Sequence, residues 1–227
     1  IDILVTPLVT IGVGVGLSAW WAPALGKAAM KVGSVIMWAT DLQPFFMGIL
    51  VSVFVGIALT LPISSAAICA ALGLTGLAGG AAVAGCCAQM VGFAVMSFKE
   101  NKWGGLVSQG IGTSMLQMGN IVRNPRIWIA PIVTSAITGP IATCLFRLQM
   151  NGTAVSSGMG TCGFVGQIGV YTGWMNDIAE GTKTAVTAMD WAGLFLISFI
   201  LPAVLCPLIN MFVRKLGWVK DGDMTLS

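Results

Sequence analysis

Long runs without a single charged side chain dominate the pattern of polar and apolar positions along this chain. Neither acidic nor basic residues occur within residues 3–26, 42–98, 103–122, 127–146, 148–176 or 191–213. A membrane-crossing helix needs about 20 consecutive apolar residues, and each run is at least that long. The pattern predicts an all-α integral membrane protein, a polytopic helical bundle that forms a single domain over residues 1–227.

Prolines, glycines and short polar loops divide these runs into helices. The predicted spans are residues 3–25, 44–61, 66–80, 81–98, 103–121, 127–146, 158–174 and 191–213. Pro62 ends the second span, because proline lacks a backbone donor and clashes with the preceding turn. Gly73, Gly76 and Gly80 are expected on one face of the third span, where another helix could approach closely.

The few charges indicate which loops face the cytoplasm. Residues 99–102, residues 123–126 and the C-terminal tail are basic, whereas residues 177–190 are mainly acidic. Cytoplasmic loops are enriched in Lys and Arg, so the tail is expected inside and the acidic loop outside. Residues 103–121 then begin and end inside, and residues 148–176 begin and end outside. The sequence therefore predicts two re-entrant elements that enter the membrane from opposite faces.

The two predicted re-entrant elements resemble each other. Residues 110–119 read GIGTSMLQMG and residues 158–169 read GMGTCGFVGQIG, each with G-x-G-T, a short apolar run and Q-x-G. One predicted crossing separates them, so a true repeat would be inverted, the arrangement that secondary transporters use around a site near the membrane midplane. Short glycine-rich matches also arise by chance in such a composition, and both explanations stay open.

Uncharged polar residues inside the apolar runs are the candidate substrate-binding groups. Gln109, Thr113 and Gln117 are spaced at i, i+4 and i+8, with Asn120 three residues further, and on a helix they form one polar stripe. Non-helical backbone at membrane depth occurs where it lines a cavity, so a cavity is expected at the two elements and at the Pro62 break. The remaining candidates are Thr161, Gln167, Gln89, Ser64 and Ser65.

Hydroxyl and amide groups without charge suit a neutral, polyhydroxylated ligand such as a sugar. They supply donors and acceptors without the desolvation cost of an ion. The alternative is that these groups hydrogen-bond neighbouring helices or broken backbone, and that the two serines only cap the next helix.

Composition excludes several other functions. Only 8% of the residues are charged, against roughly 25% in a typical soluble domain. The chain has no histidine, hence no imidazole base and no histidine ligand for zinc. Its six cysteines form no CxxC pair and are interpreted as packing residues. The net charge of +3 without a basic stripe does not fit nucleic-acid binding. We expect no cofactor, no metal and no catalytic residue on this chain.

Several segments together resemble one bacterial family. They are residues 61–67 (LPISSAA), 85–94 (GCCAQMVGFA), 109–117 (QGIGTSMLQ), 120–129 (NIVRNPRIWI), 158–163 (GMGTCG) and 214–224 (RKLGWVKDGDM). The chain is similar to the membrane IIC-type permeases of the sugar phosphotransferase system, in the branch that includes perfringolysin-regulator-like proteins. The resemblance extends over essentially the whole chain.

This resemblance implies a dimeric, multi-pass sugar permease of the bacterial inner membrane, with upstream helices that are missing from this chain. In better-known relatives, re-entrant hairpins hold a sugar that a soluble partner protein phosphorylates. The sequence lacks the ligand-contacting histidine and the Gly-Ile-Thr-Glu-type acidic motif of those relatives. Any phosphorylation of the sugar would therefore be carried out by a partner protein, and uptake without phosphorylation stays open.

The leading hypothesis is a permease for a small neutral solute, above all a sugar, with its site between the two re-entrant elements. The alternative is a membrane sensor that regulates gene expression through a cytoplasmic partner, without solute flux. A channel is disfavoured, because the apolar runs contain none of the charged residues that form selectivity rings.

Overall fold

Within the part of the chain that the structure describes, the regular secondary structure is helical. The structure, a computed structural model, describes Ile11, Val15, Lys27 and residues 29–226. Among these residues, β-type pairing is limited to an isolated bridge between Gly76 and Met150. The predicted first span, residues 3–25, lies outside the described residues apart from Ile11 and Val15. The all-α prediction is confirmed for the described residues.

The described helices are numbered here in chain order. They are α1 (29–42), α2 (Pro44–Thr60), α3 (Ser65–Leu72), α4 (Gly76–Met96), α5 (Phe98–Val107), α6 (Met118–Arg123), α7 (Ile129–Pro140), α8 (Ala154–Ser157), α9 (Val165–Ala179), α10 (Ala188–Phe195) and α11 (Leu201–Lys215). Short 3₁₀ and π-helical turns extend α7 at both ends and join α10 to α11.

Three helical stretches in the described residues are long and apolar enough to cross a membrane. They are α4, Pro125–Leu145 and Ala188–Lys215. The last two correspond to the predicted spans 127–146 and 191–213. The α2 helix, which is shorter at 17 residues, follows the predicted span 44–61. Charge-free runs therefore located these helices correctly.

The α4 helix is the centre of the bundle. Each of its residues except Gly76 and Val95 is buried, because α2, α7 and α11 pack around it. Small residues allow this close approach. A Cβ added to Gly85 would overlap the backbone carbonyl of Ser52 in α2. Glycine thus brings the α2 and α4 backbones into direct contact, as small residues do between membrane helices.

The predicted boundary between residues 80 and 81 is wrong. The α3 helix ends at Leu72, and α4 begins at Gly76 and continues unbroken past residue 80. Gly73 and Gly76 have φ angles of 63° and 60°, in the left-handed region that glycine adopts without a steric penalty. Gly73 caps the end of α3 and Gly76 is the first residue of α4, so the chain turns between them and the three glycines do not share one face of a single helix.

Two pairs of short helices form hairpins. Hairpin 1 is residues 98–123 and contains α5, a π-helical turn at Ser108–Gly112, a break at Thr113, a 3₁₀ turn and α6. Hairpin 2 is residues 151–179 and contains α8, a 3₁₀ turn at Cys162–Phe164 and α9. Hairpin 1 includes the predicted re-entrant segment 103–121, and hairpin 2 overlaps the predicted segment 148–176.

The two ends of each hairpin lie together. In hairpin 1, the side-chain amides of Asn101 and Gln117 both donate hydrogen bonds to the carbonyl oxygen of Met224, at 2.8 and 3.0 Å. In hairpin 2, the Asn151 amide donates to both carboxylate oxygens of Asp177 at 3.0 Å. Each hairpin therefore returns to the end of the molecule from which it started.

The hairpins approach α4 from its opposite ends. Hairpin 1 is tied to the C-terminal end of α4, where the Gln109 amide donates a hydrogen bond to the Ser97 hydroxyl at 2.9 Å. Hairpin 2 starts beside the N-terminal end of α4, where Met150 pairs with Gly76. The tips of the hairpins consequently point toward each other along the central helix.

Candidate functional site

The tips of the two hairpins are in contact. The hydroxyl of Thr161 donates a hydrogen bond to the carbonyl oxygen of Gly110 over 2.6 Å, and it lies 3.6 Å from the Met90 sulfur in α4. Thr161 is fully buried. Thr161 and Gly110 each belong to one of the two G-x-G-T segments of the sequence, so these two similar segments lie at the point where the hairpins meet.

Backbone in a left-handed conformation forms the tip of hairpin 2. Gly160, Gly163 and Phe164 have φ angles of 53°, 52° and 58°. A Cβ added to Gly160 would lie 2.6 Å from the Cβ of Cys86 in α4. Glycine is required here for two reasons, namely its backbone conformation and the direct contact of the tip with the central helix.

The break between α2 and α3 is tied to both hairpins. Pro62 follows the end of α2, and Ser64 caps α3 by accepting a hydrogen bond from the Ala67 amide at 3.1 Å. The Ser65 hydroxyl donates to the carbonyl oxygen of Gly158 in hairpin 2 at 2.7 Å. At the end of α2, the Thr60 hydroxyl lies 2.9 Å from the Ser114 hydroxyl of hairpin 1. Three interruptions of helical structure therefore converge.

A shallow cavity of ≈ 430 Å³, which opens widely to the surface, lies where these three interruptions meet. It is lined by Leu59, Pro62, Ile63, Ser64, Ser65, Ala66, Thr113, Met115, Met159 and Cys162. This volume lies within the roughly 300–1,000 Å³ of small-molecule sites. Its lining comes from the α2–α3 break and from the tips of both hairpins, and we call it the central cavity.

The central cavity offers uncharged hydrogen-bonding groups on an apolar wall. The hydroxyl oxygens of Ser64 and Thr113 accept bonds from nearby backbone amides, and their protons have no acceptor among the described residues. The backbone amides of Ser65 and Ala66, in the first turn of α3, lack intrahelical partners. No acidic or basic side chain lines the cavity. The arrangement can bind a neutral polar molecule, and it provides no general acid or base apart from the Cys162 thiol.

Three of the nine predicted binding residues line the central cavity, namely Ser64, Ser65 and Thr113. Thr161 precedes the lining residue Cys162 in the chain and lies at the contact between the hairpin tips. The other five predicted residues lie elsewhere in the bundle.

The interpretation of Gln109, Thr113, Gln117 and Asn120 as a stripe on one helix is wrong. The helix breaks at Thr113, whose φ and ψ of −160° and 142° are extended, so residues before and after it belong to different arms of hairpin 1. Gln109 and Gln117 face each other across the hairpin, and the Gln117 amide donates to the Gln109 side-chain oxygen at 2.9 Å.

Side-chain amides of hairpin 1 also bind the C-terminal tail. Asn120 donates to the Gln117 side-chain oxygen at 2.8 Å and to the carbonyl oxygen of Thr225 at 3.0 Å. Together with the bonds to Met224, these contacts place the tail backbone across the open ends of hairpin 1. Gln109 and Gln117 are fully buried, and both are engaged in this network rather than in the central cavity.

Gln89 and Gln167 each connect helices. The Gln89 side-chain oxygen, fully buried in α4, accepts hydrogen bonds from the Trp128 indole at 2.8 Å and from the Thr60 hydroxyl at 3.3 Å. The Gln167 amide donates to the Ser198 hydroxyl at 3.0 Å, and its oxygen has no partner among the described residues. Gln167 lines a separate, mainly aromatic cavity of ≈ 260 Å³.

Several lining residues were not predicted from the sequence. Met115, Met159 and Cys162 lie beside the G-x-G-T segments, and Ile63 lies within the Pro62 break. Their apolar side chains are typical of any membrane span, so only their position next to a break could have identified them. Within the described residues, no group of His, Cys, Asp and Glu is arranged to hold a metal ion.

Comparison with known proteins places this architecture in a family. The family model described as "Phosphotransferase system, EIIC" matches residues 1–226. Neither the curated proteins nor the solved structures contain a match. Because the family match covers almost the entire chain, the chain belongs to the EIIC family of phosphotransferase-system membrane permeases.

Proposed function

We propose that this protein carries a small neutral solute, a sugar, across the bacterial inner membrane and binds it in the central cavity. The observation that carries the proposal is the convergence of three helix interruptions around that cavity. Uncharged donors on an apolar wall suit the hydroxyl groups and the C–H faces of a sugar, because no ion has to be desolvated.

Both hairpins act as re-entrant elements in this proposal. Lipid cannot satisfy free backbone N–H and C=O groups, so irregular backbone at membrane depth is stable only inside protein or around a cavity. The contact between Thr161 and Gly110, beside Met90 of α4, supports placing both tips within the membrane. Hairpins that enter from opposite faces fit an inverted repeat with its site near the midplane.

The proposed orientation places hairpin 1 and the C-terminal tail at the cytoplasmic face. Lys99, Arg123, Arg214 and Lys215 lie at this end, and such residues are enriched in cytoplasmic segments. The chain lacks histidine, and a cytoplasmic phosphotransfer protein is the proposed partner that phosphorylates the sugar. The proposed assembly is a homodimer.

The test is a thermal-shift screen of the purified full-length protein against sugars and polyols. A ligand that binds only the native state raises its stability by RT ln(1 + [L]/Kd), about 2.7 kcal/mol at a hundred times Kd. Ala66→Phe fills the central cavity from α3 and should abolish the shift. Ala70→Phe on an exposed part of the same helix is the matched control and should preserve it.

A screen in which no sugar or polyol stabilises the protein would favour the second candidate function, a membrane sensor without solute flux. One observation supports that candidate: the tail lies across hairpin 1, so a cytoplasmic partner that binds the tail would act directly on the hairpin. Ligand-independent capture of such a partner by the tail would support it.

A further inference from the structure

A second cavity, of ≈ 630 Å³, lies at the open end of hairpin 2. It is separate from the central cavity and shares no lining residue with it. The loop after α7, the two ends of hairpin 2 and the loop before α10 form its walls, with Trp174 on its apolar side. We call it the loop crevice, and it lies at the opposite end of α4 from the C-terminal tail.

The frame of the loop crevice is held by contacts within the protein. Asn151 bonds both carboxylate oxygens of Asp177 at 3.0 Å. Lys183 forms an ion pair with Asp190 at 2.7 Å, and its ammonium lies 5.2 Å from the centre of the Trp174 ring. These contacts join the loop before α10 to the ends of hairpin 2, so the shape of the crevice is established without a ligand.

Three polar side chains in the crevice have unused hydrogen-bonding capacity. Arg147, Asn176 and Glu180 line it, are exposed, and make no side-chain hydrogen bond or ion pair among the described residues. They supply a guanidinium, an amide and a carboxylate, which together donate and accept. Phe146, which is partly exposed, provides an apolar floor beside them and packs against Trp174 and Leu148, both 3% exposed.

The charges of the crevice nearly balance. Arg147 and Lys183 are basic, whereas Asp177, Glu180 and Asp190 are acidic. An anion or a cation would meet charges of both signs at close range. A neutral molecule with several hydroxyl groups and an apolar face matches the donors, acceptors and floor.

Hairpin 1 provides an internal comparison. Its open end is lined by side-chain amides of Asn101, Gln117 and Asn120, and these bind the neutral, polar backbone of residues 224 and 225. The open end of hairpin 2 also carries polar side chains, those of Arg147, Asn176 and Glu180, and these three bind no segment of the described chain. The comparison supports a neutral polar ligand at this end as well.

We infer that the loop crevice is a second sugar-binding site, which captures the solute at the outer face before it reaches the central cavity. The ligand class rests on the proposed function. The site itself rests on the crevice, on the Arg147, Asn176 and Glu180 side chains, which have no partner within the described part of the chain, and on the apolar floor.

Equilibrium binding of radiolabelled glucose, mannose, N-acetylglucosamine and mannitol to the purified full-length protein tests this inference. The wild type should show two classes of site for at least one probe. The double variant Asn176→Ala/Glu180→Ala should weaken one class by about tenfold or more, as expected when hydrogen bonds to the ligand are removed. Thr184→Ala, at an exposed position outside the crevice in the same loop, should change neither class.

Comparison with Ala66→Phe separates this inference from the proposed function. If the crevice variant removes one class of site and Ala66→Phe removes the other, the crevice inference and the central binding site both stand. If a single class is lost in Ala66→Phe and unchanged in the crevice variant, the crevice inference is overturned and the central site stands. If the single class is lost only in the crevice variant, the central site is overturned instead. If none of the four probes binds, the sugar proposal and the crevice inference both fail.

Discussion

The hydroxyl of Thr161 donates a hydrogen bond to the carbonyl oxygen of Gly110 over 2.6 Å and joins the two hairpins at their tips. The break at Thr113 explains why this carbonyl is available. In a continuous helix its partner would be an amide four or five residues later, but the Met115 amide donates instead to the Thr113 hydroxyl at 3.1 Å. Thr161 supplies the missing donor, so the geometry of one tip depends on the other.

Removal of this donor should destabilise the protein. Thr161→Val keeps the shape of the side chain but leaves the Gly110 carbonyl unsatisfied, at an expected cost of about 1–3 kcal/mol. The thermal unfolding midpoint of the full-length protein in detergent should fall accordingly. Thr161→Ser, which keeps the hydroxyl, should remain closer to the wild type. A valine variant with an unchanged midpoint would show that the tips do not depend on this bond.

Gly160→Ala should be far more harmful than Gly104→Ala. An alanine at residue 160 would have to adopt a φ of 53° and place its Cβ 2.6 Å from Cys86. At Gly104, in α5, an added Cβ meets no atom within 4 Å, and alanine is favoured over glycine in a helix by roughly 0.8–1.0 kcal/mol. The amount of folded protein in a size-exclusion profile measures both effects. Equal tolerance at the two positions would contradict the packing of the hairpin 2 tip on α4.

The long apolar helices could be predicted from the sequence because a single local property, the absence of charged residues over about 20 positions, determines them. Uninterrupted runs without charge located α2, Pro125–Leu145 and Ala188–Lys215. The boundary between α3 and α4 could not be found in the same way, since glycine has two different roles there. Gly76 supplies a positive φ, whereas Gly85 allows close backbone contact, and composition does not distinguish these roles.

The candidate site was predicted only in part, for a related reason. Breaks in helical structure are visible locally, so Ser64, Ser65 and Thr113 could be placed at a cavity from the sequence. The partners of a buried amide depend on distant parts of the chain. Gln117 bonds Met224, which lies 107 positions away in the sequence, and no local pattern indicates that contact.

The C-terminal tail should restrain hairpin 1. Met224 is fully buried, and its carbonyl accepts bonds from both arms of the hairpin. Met224→Asp places a charge in this apolar contact and should release the tail, because burying an unpaired charge is costly. Backbone amides of residues 98–123 should then exchange hydrogen faster in mass spectrometry.

Thr225→Ala is the matched control for this experiment, since Asn120 bonds only the backbone oxygen of Thr225. Its exchange pattern should equal that of the wild type. Unchanged exchange in hairpin 1 of the Met224→Asp variant would mean that the arms are held together without the tail.

Cysteine labelling tests the orientation and the re-entrant path of hairpin 1. Lys99→Cys and Arg123→Cys place thiols at exposed positions at its two ends, and Glu180→Cys places one in the acidic loop. The variants are made in a background that lacks the exposed Cys144. Because basic segments stay in the cytoplasm, an impermeant maleimide added to intact cells should label residue 180 alone. Residues 99 and 123 should both become labelled after permeabilisation.

Labelling of these two positions from opposite sides would show that hairpin 1 crosses the membrane, and labelling of both from outside would invert the proposed orientation.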